Sequence, residues 1–398
     1  MGLIGTDVIR RRVEPKLDNW IIEHMKDFRN RDSGISVKTQ LKSFLKESTK
    51  LAILSHRWSD DEMSFQDVIK LSGINKQGID SFIREQEDDK IQFTSSEAID
   101  KLVELSAGKS RSPLEPPLLS QLTALLPHIR RCTGLVKLIR FCDLAHNSHQ
   151  LDLAWIDTCC IDKTSSAELD EAIRTMFRWY RGSAICIIHL SDTKTTEWPG
   201  STSMPDPWFR RGWTLQELLA PPVVKFYSSS WDECTTIPND KSDQLLASVI
   251  RDPRQSSNYN KSMVDWLSEV TKVPANDLIH FEPGLADLRQ RLSWSSDRST
   301  TRVEDMVYCL LGIFNISLSI AYGEGELSFY RFQQAIMERS NDRNIFQWSG
   351  TPSESSSMLA SAPKCFPPFH PWIRLSCLRT TDCELPCHYT VKKRRRSG

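Results

Sequence analysis

The chain has 398 residues, of which 39% are hydrophobic and 26% charged, a mix that can bury a sizeable core. Its 51 Lys and Arg balance its 51 Asp and Glu, so no overall field attracts it to nucleic acid or to an anionic membrane, and we expect neither DNA nor a membrane as a partner. The 11 Cys follow no framework spacing and no apolar leader opens the chain, which argues against a secreted, disulfide-bonded protein and predicts reduced thiols in the cytoplasm.

The first third of the chain contains one predicted strand between two polar regions. Residues 1–50 are charged, and their few apolar residues have helical spacing, which predicts an N-terminal helical segment. Residues 51–55 (LAILS) are a short apolar run that ends in a polar loop, as a buried strand does. Residues 66–133 are polar and rich in loop-forming residues, and we predict a large insertion there, between the first strand and its helix.

From residue 134 onward, helical and strand patterns alternate. Further strands are predicted at 151–157, 184–190 and 223–227, separated by amphipathic helices. Such alternation predicts parallel strands joined by right-handed crossovers, hence an α/β core at 51–231 with a flavodoxin-like parallel sheet and helices on both faces. In a sheet of this kind, ligands bind beyond the carboxyl ends of the strands.

The last part of the chain is predicted to be a helical extension followed by a tail. Residues 232–350 have mostly helical patterns, including a helix from Thr301 to Phe314, and we expect them to pack on the core. The uncharged run 306–322 lies at the short limit for a membrane span and has acidic flanks, so we predict a buried helix followed by a loop. Residues 351–398 are rich in Ser and Pro and end in KKRRRSG, which predicts a loosely ordered tail.

Four segments, in this order along the chain, resemble the fungal heterokaryon-incompatibility (HET) family. They are LAILSHRW (51–58), AWIDTCCIDK (154–163) with AIRTMFRWY (172–180), WFRRGWTLQELLAP (208–221), and RLSWSSDRSTTRVEDMVYCLLGIF to AYGEG (291–325). Two features depart from the family pattern: Arg57 and Ser59 replace a small polar residue and a glycine, and the insertion is long. The resemblance implies an intracellular effector of fungal non-self recognition that triggers programmed cell death.

The HET family in turn resembles the Toll/interleukin-1 receptor (TIR) domains. The likeness rests on the strand that ends in a polar loop and on a helix with the pattern Trp-x-x-x-Glu, here Trp213 to Glu217. Enzymatic TIR domains use a glutamate at this place to cleave the glycosidic bond of NAD, so the resemblance implies that Glu217 is catalytic and that NAD is a substrate, with no resident cofactor. The four-residue spacing places both side chains on one helical face. The alternative is that Trp213 packs in the core and that Glu217 is solvated or pairs with a nearby arginine.

The candidate substrate contacts lie in the loops after the first two predicted strands. The loop after the first strand offers a histidine, an arginine and a tryptophan that could stack on a dinucleotide or neutralise part of it, or could form a loop with an aromatic plug. The loop after the second strand adds a carboxylate, a hydroxyl and a thiol, and for the thiol we favour burial over reactivity. No metal site is predicted. The predicted substrate-binding residues are His56, Arg57, Trp58, Asp157, Thr158, Cys159 and Trp213.

Three hypotheses about function remain open from the sequence. The first is a TIR-like enzyme that hydrolyses NAD. The second is a non-catalytic signalling module, under an upstream recognition protein, that kills through homotypic HET–HET assembly and recruitment of other death effectors. The third is an inactive paralogue. The first hypothesis has a geometric requirement. Glu217 must lie at the same sheet edge as both loops, in a concave pocket and within reach of His56 or Arg57, with Trp213 one helical turn below it.

Overall fold

The computed structural model describes residues 2–3, 50–86, 93–108, 117–194, 205–243 and 262–368. Within them the central element is a parallel sheet of five strands. The strands are Gly2–Leu3 (β1), Leu51–His56 (β2), Leu153–Trp155 (β3), Ile185–His189 (β4) and Val224–Tyr227 (β5).

The spatial order of the strands is β1-β3-β2-β4-β5. Its last four members follow the flavodoxin-like order, in which the first strand of the unit lies between the second and the third. The predicted parallel α/β sheet and all four predicted strands are therefore confirmed, and β1 adds a short edge strand that the sequence did not indicate.

The insertion forms a layer of helices on one face of the sheet. Ala52 and Leu54 of β2 point to this side and share a buried cluster with Ile79, Ile99 and Leu125 of the insertion. Because side chains alternate along a strand, this layer receives every second residue of β2. Its helices, with the one that follows the insertion, are Phe65–Lys70 (α1), Lys76–Gln86 (α2), Ser95–Ser106 (α3), Leu118–Leu125 (α4) and Thr133–Asp143 (α5).

The other face of the sheet is covered by two core helices and by the C-terminal extension. Leu51 and Ile53 of β2 share one buried cluster with Tyr308, Leu310 and Phe314, so the expected packing of the extension on the core is confirmed. Among the described residues, no helix has the length and apolar character needed to cross a bilayer. The helices on this face are Ser166–Gly182 (α6), Thr214–Leu219 (α7), Met263–Thr271 (α8), Ala275–Ile279 (α9), Leu288–Ser293 (α10), Asp305–Tyr308 (α11), Leu311–Phe314 (α12) and Leu327–Arg339 (α13).

The prediction of one helix from Thr301 to Phe314 is wrong, because this stretch forms the two short helices α11 and α12. The carboxylate of Glu304 does not bond back toward Thr301 as a capping box requires. Instead it accepts hydrogen bonds from the backbone amides of Gly323 and Gly325, at 2.8 and 3.0 Å, and ties the start of α11 to the following loop.

The expectation of a loosely ordered tail from residue 351 is also wrong for residues 351–368. Two short antiparallel strands, Pro352–Ser353 (β6) and Ser356–Ala360 (β7), form a hairpin there. The side-chain amide of Gln333 on α13 both donates to and accepts from the Ala360 backbone, which fixes the hairpin to the helical layer. The remaining tail lies outside the described residues, as does the predicted N-terminal helical segment apart from β1 and Lys50.

Candidate functional site

Glu217 lies at the carboxyl edge of the sheet, on the short helix α7. Ser55, the second-last residue of β2, donates a hydrogen bond from its hydroxyl to Glu217 Oε2. Trp208 Nε1 donates to the same hydroxyl oxygen at 2.9 Å, and the Tyr180 hydroxyl interacts electrostatically with Glu217. Tyr180 in turn donates to the Leu54 carbonyl at 3.0 Å. The carboxyl group is therefore held directly against the end of the central strand.

The surroundings of Glu217 favour its neutral form. Its side chain is buried, with 6% of the residue exposed, and this burial raises its pKa to about 8. The negative charge of Asp157 acts in the same direction, whereas the Ser55 hydrogen bond and the Arg211 charge oppose it. A carboxyl group with this pKa carries its proton at neutral pH and loses it when a positive charge comes near.

The raised pKa predicts a specific dependence of stability on pH. A carboxyl whose pKa rises from 4.5 to about 8 on folding stabilises the protein below pH 4.5, and this contribution is lost as the pH rises through about 8. Between pH 6 and 7 we expect the wild type to lose about 1 kcal/mol of unfolding free energy relative to Glu217→Gln. Urea denaturation of both proteins at the two pH values measures this difference, and other titrating groups cancel. Equal pH slopes in the two proteins would contradict the assignment.

Trp213 lies one helical turn below Glu217, as predicted. The Glu217 backbone amide donates to the Trp213 carbonyl at 3.4 Å, across the first turn of α7. The Trp213 side chain is half-buried, packs against the core and interacts with Asp305 of α11. It therefore contacts the C-terminal extension, which makes it a packing residue between α7 and that extension.

His56 points to the opposite face of the sheet from Ser55, because consecutive strand residues alternate. It is buried, with its Nε2 3.5 Å from Glu62 and its Nδ1 4.0 Å from Asp157. Glu62 also pairs with Lys137. Burial opposes the ionisation of Glu62, but His56 and Lys137 outweigh it and hold the pKa of that carboxyl well below its usual range. His56 is thus part of a buried charge network.

An exposed aromatic and cationic surface lies beside this network. Trp58 is 45% exposed and donates from its indole nitrogen to Asp157 Oδ2 at 2.8 Å. The Lys163 ammonium lies 3.8 Å from the centre of the indole ring, and the Arg211 guanidinium lies 5.6 Å from it. We call these four residues, Trp58, Asp157, Lys163 and Arg211, the Trp58 patch.

The predicted site residues converge only in part. Among the described residues, Arg57 forms its ion pair with Asp192 after β4, at 2.8 Å, and the Glu217 carboxyl has no direct hydrogen bond to Arg57 or His56. Asp157 and Glu217 do influence each other, so the two loops and α7 meet at one edge of the sheet.

Thr158 and Cys159 lie in the core and not at the sheet surface. Both are buried, and the Cys159 thiol donates to the Met63 carbonyl at 3.4 Å within the insertion-side cluster. Burial raises the pKa of this thiol well above its usual range, which suits the interpretation of a buried rather than a reactive cysteine. Cys159 therefore contributes packing to the site and has no exposed surface for a substrate.

Three residues around the Glu217 carboxyl were not among the predicted site residues: Ser55, which donates to it, Trp208, which donates to Ser55, and Tyr180, which interacts with it. Each belongs to a segment that carries the family resemblance, Ser55 in LAILSHRW, Tyr180 in AIRTMFRWY and Trp208 in WFRRGW. The polar atoms of these three side chains, on mainly apolar elements, were the feature of the sequence from which they could have been predicted. Among the described residues, no cluster of His, Cys, Asp and Glu could hold a metal ion.

Comparison with known proteins points to one family. The heterokaryon incompatibility protein (HET) family profile matches residues 139–206. The chain is also 37% identical, over 210 residues and 50% of its length, to the vegetative incompatibility protein HET-E-1 of Podospora anserina. It covers 14% of that relative, so the similarity concerns one part of a much longer protein. No solved structure matches the chain significantly.

Proposed function

We propose that the chain carries a heterokaryon-incompatibility (HET) domain and that it acts in fungal vegetative incompatibility by cleaving NAD. The observation that supports this function best is the Glu217 carboxyl, which is buried and protonated at the carboxyl edge of a flavodoxin-like sheet. Ligands bind at this edge in sheets of this class. We further propose that the domain is TIR-like and that loss of NAD in the cytoplasm causes the death of the cell.

The chemistry suits the environment of Glu217. Cleavage breaks the bond between the nicotinamide nitrogen and the ribose carbon, the electron pair leaves with nicotinamide, and the ribose becomes oxocarbenium-like. Water then adds to the ribose carbon and releases a proton, which gives ADP-ribose. A positive charge beside the Glu217 carboxyl favours its ionised form, so binding of the substrate would release the carboxyl proton to solvent and leave the carboxylate that stabilises the transition state.

The Trp58 patch offers the remaining contacts that a dinucleotide needs. The exposed indole of Trp58 provides a stacking face for a base, and Lys163 and Arg211 provide cations for the two phosphates. Arg211 also contributes to the field at Glu217, which supports a single site that includes the patch and the carboxyl. Because only 6% of Glu217 is exposed, the nicotinamide end must displace part of the cover over the carboxyl.

A second candidate function is a non-catalytic module that assembles with other HET domains under an upstream recognition protein. The near-complete burial of Glu217 favours it, since a buried carboxyl that accepts from Ser55 can simply stabilise the edge of the sheet. The exposed Trp58 would then serve as a contact for a second copy.

The test is the fate of NAD during killing. We expect the purified chain to release nicotinamide from NAD, and yeast that expresses the chain to lose NAD before it loses viability. Death with unchanged NAD would favour the assembly module. If the yeast cells neither die nor lose NAD, the chain is an inactive paralogue. Nicotinamide release in vitro and NAD loss in yeast are independent measurements. NAD loss in yeast therefore still reports the activity of a chain that needs a cellular activator.

A further inference from the structure

A cavity of about 120 Å³ lies on the face of the sheet that carries the C-terminal extension. Its walls come from the single-turn helix Pro207–Arg210 and from the carboxyl ends of α8 and α10. Three of its lining side chains are cationic, Arg210, Lys272 and Arg298, against one carboxylate, that of Asp297. The cavity has room for a small anion, and its lining carries a net positive charge.

Arg298 is the unusual member of this lining. Only 7% of it is exposed, and its hydrogen bonds within the described residues go to backbone carbonyls and a hydroxyl, with its Nε donating to the Trp294 carbonyl at 3.2 Å. Its Nη1 donates to the Arg211 carbonyl and to Thr214 Oγ1, at 2.8 and 2.9 Å, but its Nη2 has no hydrogen-bond partner in the described parts of the chain. A buried charge is costly unless it is paired, so a bound anion would stabilise this guanidinium.

A second buried donor lines the same cavity. Trp294 is 3% exposed, and its indole nitrogen likewise lacks a hydrogen-bond partner within the described ranges. Arg210 and Lys272 are exposed residues of the lining and add two cations to the two buried donors, with the Lys272 ammonium donating to the Glu269 carbonyl at 2.7 Å. Fixed N–H donors together with several cations are what proteins use to bind the oxygens of a phosphate group.

We propose that this cavity binds a phosphate group, either as inorganic phosphate or as the phosphate of a mononucleotide. Arg298 and Trp294 would donate to its oxygens, and Arg210 and Lys272 would close over it from the surface. Asp297, the one acidic residue of the lining, would disfavour ligands with more than one phosphate.

The cavity is connected to Glu217 through a chain of hydrogen bonds. Arg298 Nη1 donates to Thr214 Oγ1, and that hydroxyl donates to the Trp208 carbonyl at 2.7 Å. The Trp208 indole donates to Ser55, and Ser55 donates to Glu217. A phosphate bound at Arg298 would neutralise a positive charge that acts on Glu217, so we expect occupancy of the cavity to favour the protonated carboxyl. This regulatory consequence rests on the proposed function, whereas the binding itself does not.

The proposal is tested by titration calorimetry of the full chain at fixed ionic strength. Inorganic phosphate and AMP are titrated in separate experiments. We expect one saturable site for inorganic phosphate and competition between the two ligands. The double variant Arg210→Gln with Lys272→Gly should weaken binding at least tenfold. Lys272 has a left-handed backbone, with φ 62°, so glycine removes the charge without strain.

The matched control is Arg130→Gln, which removes an exposed cation from the turn between α4 and α5. It should bind phosphate as the wild type does. The proposal would be overturned if phosphate binding is not saturable or if the double variant binds phosphate as tightly as the wild type. It would also be overturned if AMP binds but phosphate does not compete with it. Because binding is measured without NAD, a failure here is distinguishable from a failure of NAD cleavage: Glu217→Gln should leave phosphate binding intact.

Discussion

Replacing Glu217 with glutamine is expected to reduce NAD cleavage on the order of 10³-fold, the usual loss when a group that stabilises transition-state charge is removed. Glutamine cannot ionise when the ribose becomes positive, so the stabilising charge never forms. Nicotinamide release by the purified variant measures the effect, and yeast that expresses the variant should keep both its NAD and its viability.

The same substitution is expected to leave the fold intact. Glu217 carries its proton at neutral pH, so glutamine replaces one neutral group with another of similar shape, and its carbonyl oxygen can still accept from Ser55. Glu338→Gln, on the exposed side of α13, is the matched control and should retain full activity. A folded Glu217→Gln protein that cleaves NAD at the wild-type rate would remove Glu217 from the mechanism.

The largest expected effect on stability is at Gly312, in α12. A Cβ atom at this position would lie 2.1 Å from Cβ and 2.4 Å from Cγ of Phe177 on α6, well inside contact distance. Neither atom is the flexible end of a side chain, so the two helices must separate. We expect Gly312→Ala to reduce the free energy of unfolding by about 3 kcal/mol, which thermal or urea denaturation measures.

Gly182 provides the control for that substitution. It is the last residue of α6, the same helix that Gly312 contacts, and a Cβ there would meet no atom within 4 Å. Gly182→Ala should therefore be neutral or slightly stabilising, because alanine loses less conformational entropy on folding. Equal destabilisation by both variants would mean that the close approach of α12 to α6 is not the cause.

The sheet was predictable because each strand is a short apolar run with polar residues at its end. LAILS and the run 184–190 are apolar on both faces, as strands between two helical layers must be, and the alternation with helices fixed the parallel order. The break between α11 and α12 was not predictable, since it depends on where the Gly323 and Gly325 amides meet Glu304 in three dimensions.

The sequence was sufficient to predict which loops form the site, but not which side chains contact each other there. Ser55 and His56 are consecutive strand residues, so their opposite directions followed from strand geometry and could have been predicted. The hydrogen bond from Ser55 to Glu217 joins residues 162 positions apart, and no local pattern specifies it. The role of Trp213 also depended on docking, because its partner Asp305 belongs to the C-terminal extension.

The insertion also has a consequence for how the protein is made on the ribosome. The central strand β2 pairs with β3 and β4, for example Ala52 with Ile185, so it emerges long before either neighbour. At a synthesis rate of roughly 5–20 residues per second, β2 stays unpaired on the order of ten seconds, during which its open edges could join another nascent chain. The helices α1–α4 are synthesised between β2 and β3, and they can cover one face of β2 as they emerge. Shortening the insertion would thus expose the strand sooner to aggregation, even where the finished fold survives.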